Sequence, residues 1–317
     1  MWRRVRRGLW VGKRATQIAR ASVYPRVVWL LRRLPRKLFT PCALVLGAFL
    51  FVFYRRGVVR ANLAFAFPEW SSTQRRQTVW AYYQHLARVL VESLHATDYT
   101  EAELRDHVTL EQTEVITEAL ARGQGVVFLT GHFGNWEWLA RRAAIEWGRL
   151  AVLYNRPHDD ALDEILVKLR SEAGMTLITY TDARGSIRWL RNGGILGITM
   201  DQEPLTGVAA PLFGRPALTH TGPFRLARLA HAVVVTGFCH RVRTGRYRAR
   251  MEPFPLTSSE PDERSILAEA TEFNARLENA VRQDPSQWLW THRRWKRGWK
   301  LGPDPMRQVP APLSPRS

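Results

Sequence analysis

A histidine and a glutamate five positions apart, His132 and Glu137, stand in the stretch GVVFLTGHFGNWEW, where a short apolar run gives way to glycines. In a regular helix, residues five apart lie about 140° out of phase, so these two side chains cannot meet if both are helical. The histidine must then sit in a turn ahead of the helix, from which its imidazole can fold over the first helical turn toward the carboxylate. A carboxylate held there fixes the imidazole tautomer and supports the imidazolium formed on proton uptake. That is a general base with an orienting acid, an arrangement that contributes roughly 10² to 10⁴ in rate. Gly131 and Gly134 let the backbone turn tightly, and Asn135 can cap the helix that carries Trp136, Glu137 and Trp138. Two blander readings fit the same residues. His132 could cap the turn with Glu137 on the surface, or the glycines could form a nucleotide turn, although Gly131-x-x-Gly134 lacks the full dinucleotide pattern.

A base of this kind needs a hydroxyl to deprotonate. No Gly-x-Ser-x-Gly elbow occurs, and the neighbours Cys239 and His240 have no third partner, so direct transfer is favoured over a covalent acyl-enzyme. The only two cysteines, Cys42 and Cys239, make neither a disulfide framework nor a zinc site and read as buried thiols. No metal or bound cofactor is expected.

The elements that must position the pair follow from periodicity. Short β-branched runs at Val126–Thr130, Leu150–Tyr154, Thr176–Thr179, Ile195–Met200 and Ala232–Phe238 predict strands. Helical spacing predicts helices over Asn135–Trp147, Asp160–Ala173, Ala183–Arg191 and Gly222–Ala230 between them. Tyr247–Pro253 reads as a further strand and Asp262–Gln283 as a closing helix. Such alternation specifies an α/β fold, layered α-β-α around a mainly parallel or mixed sheet. His132 then falls just past the end of a strand, where open α/β sheets gather reactive groups. Ser71 and Ser72 can cap an amphipathic helix over Ser72–His95, with Val79, Tyr83, Leu86, Leu90 and Leu94 on its apolar stripe. No internal repeat occurs.

A formal net charge of +19 in 317 residues calls for an anionic partner, and its distribution narrows the choice. Twelve Arg or Lys residues precede Leu38, and no acidic residue occurs before Glu69. The tract is followed by an uncharged run, Leu38 to Tyr54, at the short end of what spans a hydrocarbon core, with Pro41 placed to break its first turn. Arginines interleaved with Trp2, Trp10, Val27, Val28, Trp29, Leu30 and Leu31 suit a lipid headgroup layer. An RNA-binding arm is the rival, but an apolar run is what a membrane needs and a nucleic acid does not. A cleaved signal peptide fits poorly, because the charged region is too long and no clean cleavage site follows. The chain divides into an arm and membrane segment over 1–54, a catalytic domain over 55–300 and a proline-rich tail over 301–317 for which disorder is expected.

The H-x-x-x-x-E arrangement in GHFGNWEW resembles the signature of glycerolipid-type acyltransferases, and more narrowly that of the bacterial lipid A late acyltransferases. The stretches RRGVVRANLAFAFPEW, NRPHDDALDEIL, ITMDQEP, PLFGRPALTHTGPFRLARLAHAVVV and QWLWTHRRWK follow the family in order, over about Arg55 to Trp295. The resemblance implies transfer of a fatty acyl chain from an acyl carrier protein thioester to a hydroxyl of a phosphorylated lipid, at the cytoplasmic face of the inner membrane. It implies His132 as base with Glu137 as its orienting partner, and Arg156, Asp201, Gln202 and Asn135 as substrate contacts or braces. Asn155 stands where the family more often has Tyr, which bears on the acceptor, and Glu137 where it often has Asp.

Arg156 could instead pair with Asp159 or Asp160, and Asp201 could cap a turn. His220, His231, His240 and His292 read as structural or surface. The late cluster WLWTHRRWK admits two uses, as a headgroup anchor or as aromatic and arginine side chains packed within the protein. A mannosylated phosphatidylinositol, a lysophospholipid acceptor and a non-enzymatic basic binding protein remain as alternatives. A cytoplasmic donor conflicts with one span behind a basic arm, which would export the domain by the positive-inside rule. The expected resolution is that Leu38–Tyr54 dips into the inner leaflet or anchors at the interface, or that the arm violates the rule.

Overall fold

Five of the apolar runs pair side by side in a computed structural model of the protein, which describes Arg26 and residues 28–157, 159–260 and 262–296. The strands are β2 (Val126–Thr130), β3 (Leu150–Tyr154), β4 (Thr176–Thr179), β5 (Ile195–Thr199) and β8 (Val233–Thr236). Together with β11 (Glu252–Pro253) they form one sheet in the order β11-β8-β2-β5-β3-β4. All its pairings are parallel except the antiparallel edge pair of β11 with β8. The sheet is therefore mixed and mainly parallel. Every residue of β2 is buried, as a central strand covered on both faces requires.

The crossovers supply the layers. α5 (Glu114–Ala121) and α6 (Trp136–Trp147) cover one face, where Ile116, Trp138 and Leu139 pack with Val126 and Phe128. On the other face, α8 (Ala183–Arg191), α9 (Gly222–Ala230) and α10 (Glu263–Gln283) place Leu190, Phe224, Phe273 and Leu277 with Val127 and Leu129. Successive β2 residues thus feed opposite cores, as period two demands. α7 (Asp160–Glu172) joins β3 to β4.

Several elements escape the sequence patterns. β1 (Val108–Glu111), β9 (Cys239–Arg243) and β10 (Arg246–Arg250) form a separate sheet in the order β1-β10-β9. The predicted strand Tyr247–Pro253 is thereby split, because β10 serves this small sheet while β11 turns back to the large one. β6 (Val208–Leu212) and β7 (Arg215–Thr219) make a hairpin whose two-residue turn, Phe213-Gly214, has φ of 52° and 66°. That is a primed turn with Phe in a position that usually takes Asn or Asp, and prolines in both flanking strands mask the pairing further.

α1 (Phe39–Phe53) occupies the uncharged run, and Pro41 sits in its first turn, where its missing N–H has no intrahelical partner to lose. After α2 (Arg56–Ala66), α3 (Ser72–Leu94) starts at a capping box in which Ser71 and Gln74 bond reciprocally. α1 runs antiparallel along α3. Phe39 packs on His95 beyond the C-terminal end of α3, Gly47 faces Gln84, and Phe51 meets Trp80 and Tyr83 in its first half. Most of the basic arm and the proline-rich tail lie outside the described residues. Where the end of the arm is described, Arg32 pairs with Glu172 and Arg36 with Glu103.

Candidate active site

Strand register brings the chemistry together. β2 and β5 are parallel neighbours with Thr130 opposite Thr199, so residues two steps beyond each strand emerge side by side. Those residues are His132 and Asp201, 69 positions apart in the chain. Asp201 Oδ1 accepts the His132 Nδ1–H at 2.8 Å, and Oδ2 accepts the His132 backbone N–H at 2.9 Å. Trp288 Nε1 donates a third bond to Oδ2 at 2.9 Å. The carboxylate is 2% exposed and the imidazole 17%, so the acid is sealed and the imidazole remains reachable. Burial pushes the Asp201 carboxyl up, but the adjacent imidazole and three donors outweigh it and hold the carboxyl down, at about 2. With Nδ1–H committed to Asp201, the lone pair for proton uptake is on Nε2, which no described group hydrogen-bonds.

The turn that carries His132 is clamped from the C-terminal side. Leu289 N–H donates to the His132 carbonyl and Gly134 N–H to the Gln287 carbonyl, both at 3.0 Å, with a bridge between Phe133 and Trp288. Gly134 has φ of 60°, and a Cβ there would lie 1.5 Å from the Cys239 carbonyl oxygen, so only glycine fits. At Gly131 a Cβ would meet Asp201 at 3.3 Å, which keeps that approach open.

Glu137 corrects the sequence expectation. It lies in the first turn of α6, as the spacing requires, but its carboxylate bonds to Arg170 of α7 and not to His132. The Arg170 fork is bidentate, with bonds of 2.6 and 3.2 Å, and Trp136 Nε1 adds a donor at 3.2 Å. Burial pushes the Glu137 carboxyl up, yet Arg170, the positive field of His132 and Trp136 together hold it below the usual range. The orienting hydrogen bond belongs to Asp201. Trp136 stands edge-on to the His132 ring at 5.1 Å between centroids.

The chain as a whole has counterparts among known proteins. The model of the bacterial lipid A biosynthesis acyltransferases matches residues 12–297. The chain belongs to that family. It is 29% identical over 279 residues to the lipid A biosynthesis lauroyltransferase of Escherichia coli (strain K12), an alignment covering 85% of this chain and 89% of the relative. It is 26% identical over 281 residues to the palmitoleoyltransferase of the same organism and to a lipid A biosynthesis acyltransferase of Shigella flexneri, with the same coverage. The protein is an O-acyltransferase of lipid A biosynthesis.

The other residues expected in the acyltransferase site divide sharply. Gln202 is half-buried beside Asp201. Asn135 is fully buried, with both side-chain heteroatoms bonded within the protein. Its Oδ1 caps α6 by accepting from Trp138 N–H at 3.0 Å, and its Nδ2 donates to Glu92 Oε2 at 2.9 Å. Arg156 follows β3 at the same edge of the sheet, 65% exposed, and pairs with Asp160 at 3.1 Å and Asp163 at 2.9 Å. This is the ion-pair alternative, with Asp163 joining as a second partner.

The late aromatic cluster packs within the protein. Trp288, Trp290, Trp295 and Arg294 are all buried, and Arg294 donates to the Leu218 carbonyl and to Thr219 Oγ1. A headgroup anchor is excluded for these four, while Arg293 stays exposed. His292 Nε2 accepts the Glu203 backbone N–H at 2.9 Å, a structural use. Burial raises the Cys239 thiol to about 12, which makes it inert as a nucleophile, and Cys42 is half-buried. Sequence reading missed Arg170 and the Trp288 indole. Arg170 lies on the predicted helix Asp160–Ala173, but only the packing of α7 against α6 pairs it with Glu137.

Proposed function

We propose that the protein moves a fatty acyl chain from an acyl carrier protein thioester to a hydroxyl of a phosphorylated glycolipid, a lipid A precursor, with His132 as general base. The observation that carries this reading is the His132–Asp201 bond, which leaves Nε2 open at a strand-end edge. Nε2 takes the acceptor hydroxyl proton as its oxygen attacks the thioester carbonyl carbon. The tetrahedral intermediate collapses with cleavage of the carbon–sulfur bond, and the imidazolium returns the proton to the departing thiolate. Asp201 supports the transient imidazolium and holds the tautomer.

The developing oxyanion needs donors. The backbone N–H groups of His132, Phe133 and Gly134 are already committed to Asp201, Gly131 and Gln287. We assign the task to a side-chain cation, Arg170, which is held by Glu137, whose carboxylate lies within the field of His132. Glu137 then acts on the reaction through Arg170. The scheme uses no metal and no bound cofactor. The relatives' names, lauroyltransferase and palmitoleoyltransferase, favour a fatty acyl donor.

The acceptor is a membrane lipid, and among the described residues one helical stretch, α1 with the short 3-10 turn Arg36–Leu38 ahead of it, is long and apolar enough to cross a bilayer. Its outer face exposes Leu44, Val45, Phe49, Val52 and Phe53, while its inner face lies along α3. A helix docked lengthwise favours seating of the domain on the inner leaflet, with its site on the cytoplasmic face where a carrier protein is available. The +19 charge suits that anionic surface and an acidic carrier.

The test is turnover of His132→Ala with acyl carrier thioester and a lipid A precursor. A loss of about 10³-fold or more with an unchanged fold is expected, and near-normal turnover would sink the base assignment. Mass spectrometry of lipids from cells lacking the protein should show lipid A short of one acyl chain. Loss of an acyl chain from a different lipid would reassign the acceptor. Protease access to the domain only from the periplasmic side would overturn the cytoplasmic placement.

A further inference from the structure

Against the turn that carries His132, α3 presents two buried polar side chains two helical turns apart. His85 Nε2 meets the Gly134 carbonyl at 3.2 Å. Burial lowers the His85 imidazole to about 3, so it is neutral and its Nε2–H donates. Glu92, 5% exposed, lies seven residues on. Its Oε2 accepts from Asn135 Nδ2 at 2.9 Å and from the Tyr247 hydroxyl, and its backbone carbonyl accepts the Trp138 Nε1–H at 2.9 Å. Tyr247 is itself buried, on β10 of the small sheet.

Glu92 makes no ion pair among the described residues. Burial pushes the Glu92 carboxyl above its ordinary range, while the bonds from Tyr247 and Asn135 and the charges of Arg88 and Arg241 pull the other way. Such a group is costly unless its hydrogen bonds are complete. Its two side-chain donors come from different parts of the fold, and one of them, Asn135, is the N-cap of α6 three residues after His132. Asn135 spends both of its side-chain heteroatoms in this chain of contacts, from Glu92 on one side to the Trp138 N–H on the other. The segment His132–Asn135 is thus fixed from two directions. Residues 287–289 and Asp201 hold one side, and α3 holds the other.

We propose that Glu92 is a positioning residue for acyl transfer: its buried carboxyl group fixes Asn135, and through Asn135 the turn between β2 and α6, so that His132 meets Asp201 in the reactive orientation. The proposal rests on the reading of His132 as the base. Glu92 touches neither substrate nor the reacting atoms. Its contribution is geometric, in a setting where displacement of a base by about 1 Å costs about 10²-fold in rate.

The experiment measures kcat and KM of the full-length protein, per folded site, for Glu92→Ala, Glu92→Gln and Glu92→Asp, with His132→Ala alongside. Glu92→Ala strands the Asn135 amide and the Tyr247 hydroxyl, and kcat should fall about 30- to 100-fold with KM within about 3-fold. Glu92→Gln keeps an oxygen that accepts from both donors, and kcat should return to within about 3-fold of the parent protein. If Glu92→Ala does not fold, Glu92→Asp carries the test, because it keeps the carboxyl but draws it back by one methylene, and its kcat should fall. Full kcat in the alanine or aspartate variant, or equal losses in the alanine and glutamine variants, would overturn the proposal. Full turnover in His132→Ala would instead remove the base reading beneath it, whatever Glu92 does.

Discussion

Two carboxylates flank the same imidazole, and they are built differently. Asp201 is sealed at the end of β5, accepts three hydrogen bonds and orients the ring. Glu137 is only five residues from His132, on α6, and is turned to the guanidinium of Arg170. Nearness in the chain made Glu137 the natural partner, yet the parallel register of β2 and β5 gave that place to a residue 69 positions away. In an α/β sheet, neighbouring strand ends outrank neighbouring residues, because the helix that follows a strand carries its side chains away from the turn.

The difference can be broken by mutation, starting with the acids. Asp201→Asn removes the orienting charge and should lower kcat by about 10³- to 10⁴-fold. Glu137→Gln should cost about 10²-fold by loosening Arg170, the scale of losing one electrostatic stabiliser. Nitrogen-15 NMR of His132 separates the two mechanisms. The Nδ1–H tautomer should persist in Glu137→Gln and be disturbed in Asp201→Asn, and the reverse pattern would return the orienting role to Glu137.

Trp288→Phe deletes one of three donors to Asp201. We expect kcat to fall about 10-fold, the equivalent of about 1.4 kcal/mol for a bond to a charged acceptor. An unchanged rate would show that the C-terminal segment shapes the turn but not the acid.

Acid stability sharpens the contrast further. The Asp201 carboxyl titrates at about 2 in the folded protein and near its ordinary value when unfolded. Its stabilisation, about 2 kcal/mol, is therefore present above about pH 4 and is lost as pH falls toward 2. Urea unfolding between pH 5 and 2 should show that loss in the parent protein and a shallower dependence in Asp201→Asn.

The smallest expected effect is at Arg156. Its exposed guanidinium is held by Asp160 and Asp163, and such surface pairs contribute about 0 to 1 kcal/mol. Arg156→Ala should leave kcat within about 3-fold, and a larger loss would bring Arg156 into the reacting site.

Much of the fold was legible because the relevant forces are local. The strands that became β2, β3, β4, β5 and β8 are β-branched runs, and the helices before, between and after them carry periodic stripes with caps such as Ser71, Asp159 and Asp262. The hairpin of β6 and β7 was hidden by Pro211 and Pro216, and β1 gives no signal because its partner β10 lies almost 140 residues away. In the site, His132 was found from its place in a glycine turn. Asn135 was recognised as a cap, but its second bond to Glu92 has no sequence signature, since both are ordinary polar residues until α3 packs behind the turn. The late tryptophans were equally ambiguous, and packing against Phe65, Phe67 and Phe213 placed them in the core.

The sequence by itself determined an α/β chain with a histidine at a strand end, a long uncharged run behind a basic arm, and the blocks of an acyltransferase family. The first two follow from periodicity, charge and spacing, which act over a few residues at a time, and the blocks from resemblance to a family. Only the tertiary structure decided which acid holds His132, what Glu137 holds instead, and that the apolar helix lies along α3. Those outcomes depend on strand register and helix packing, where contacts form between residues tens to hundreds of positions apart and no local pattern records them.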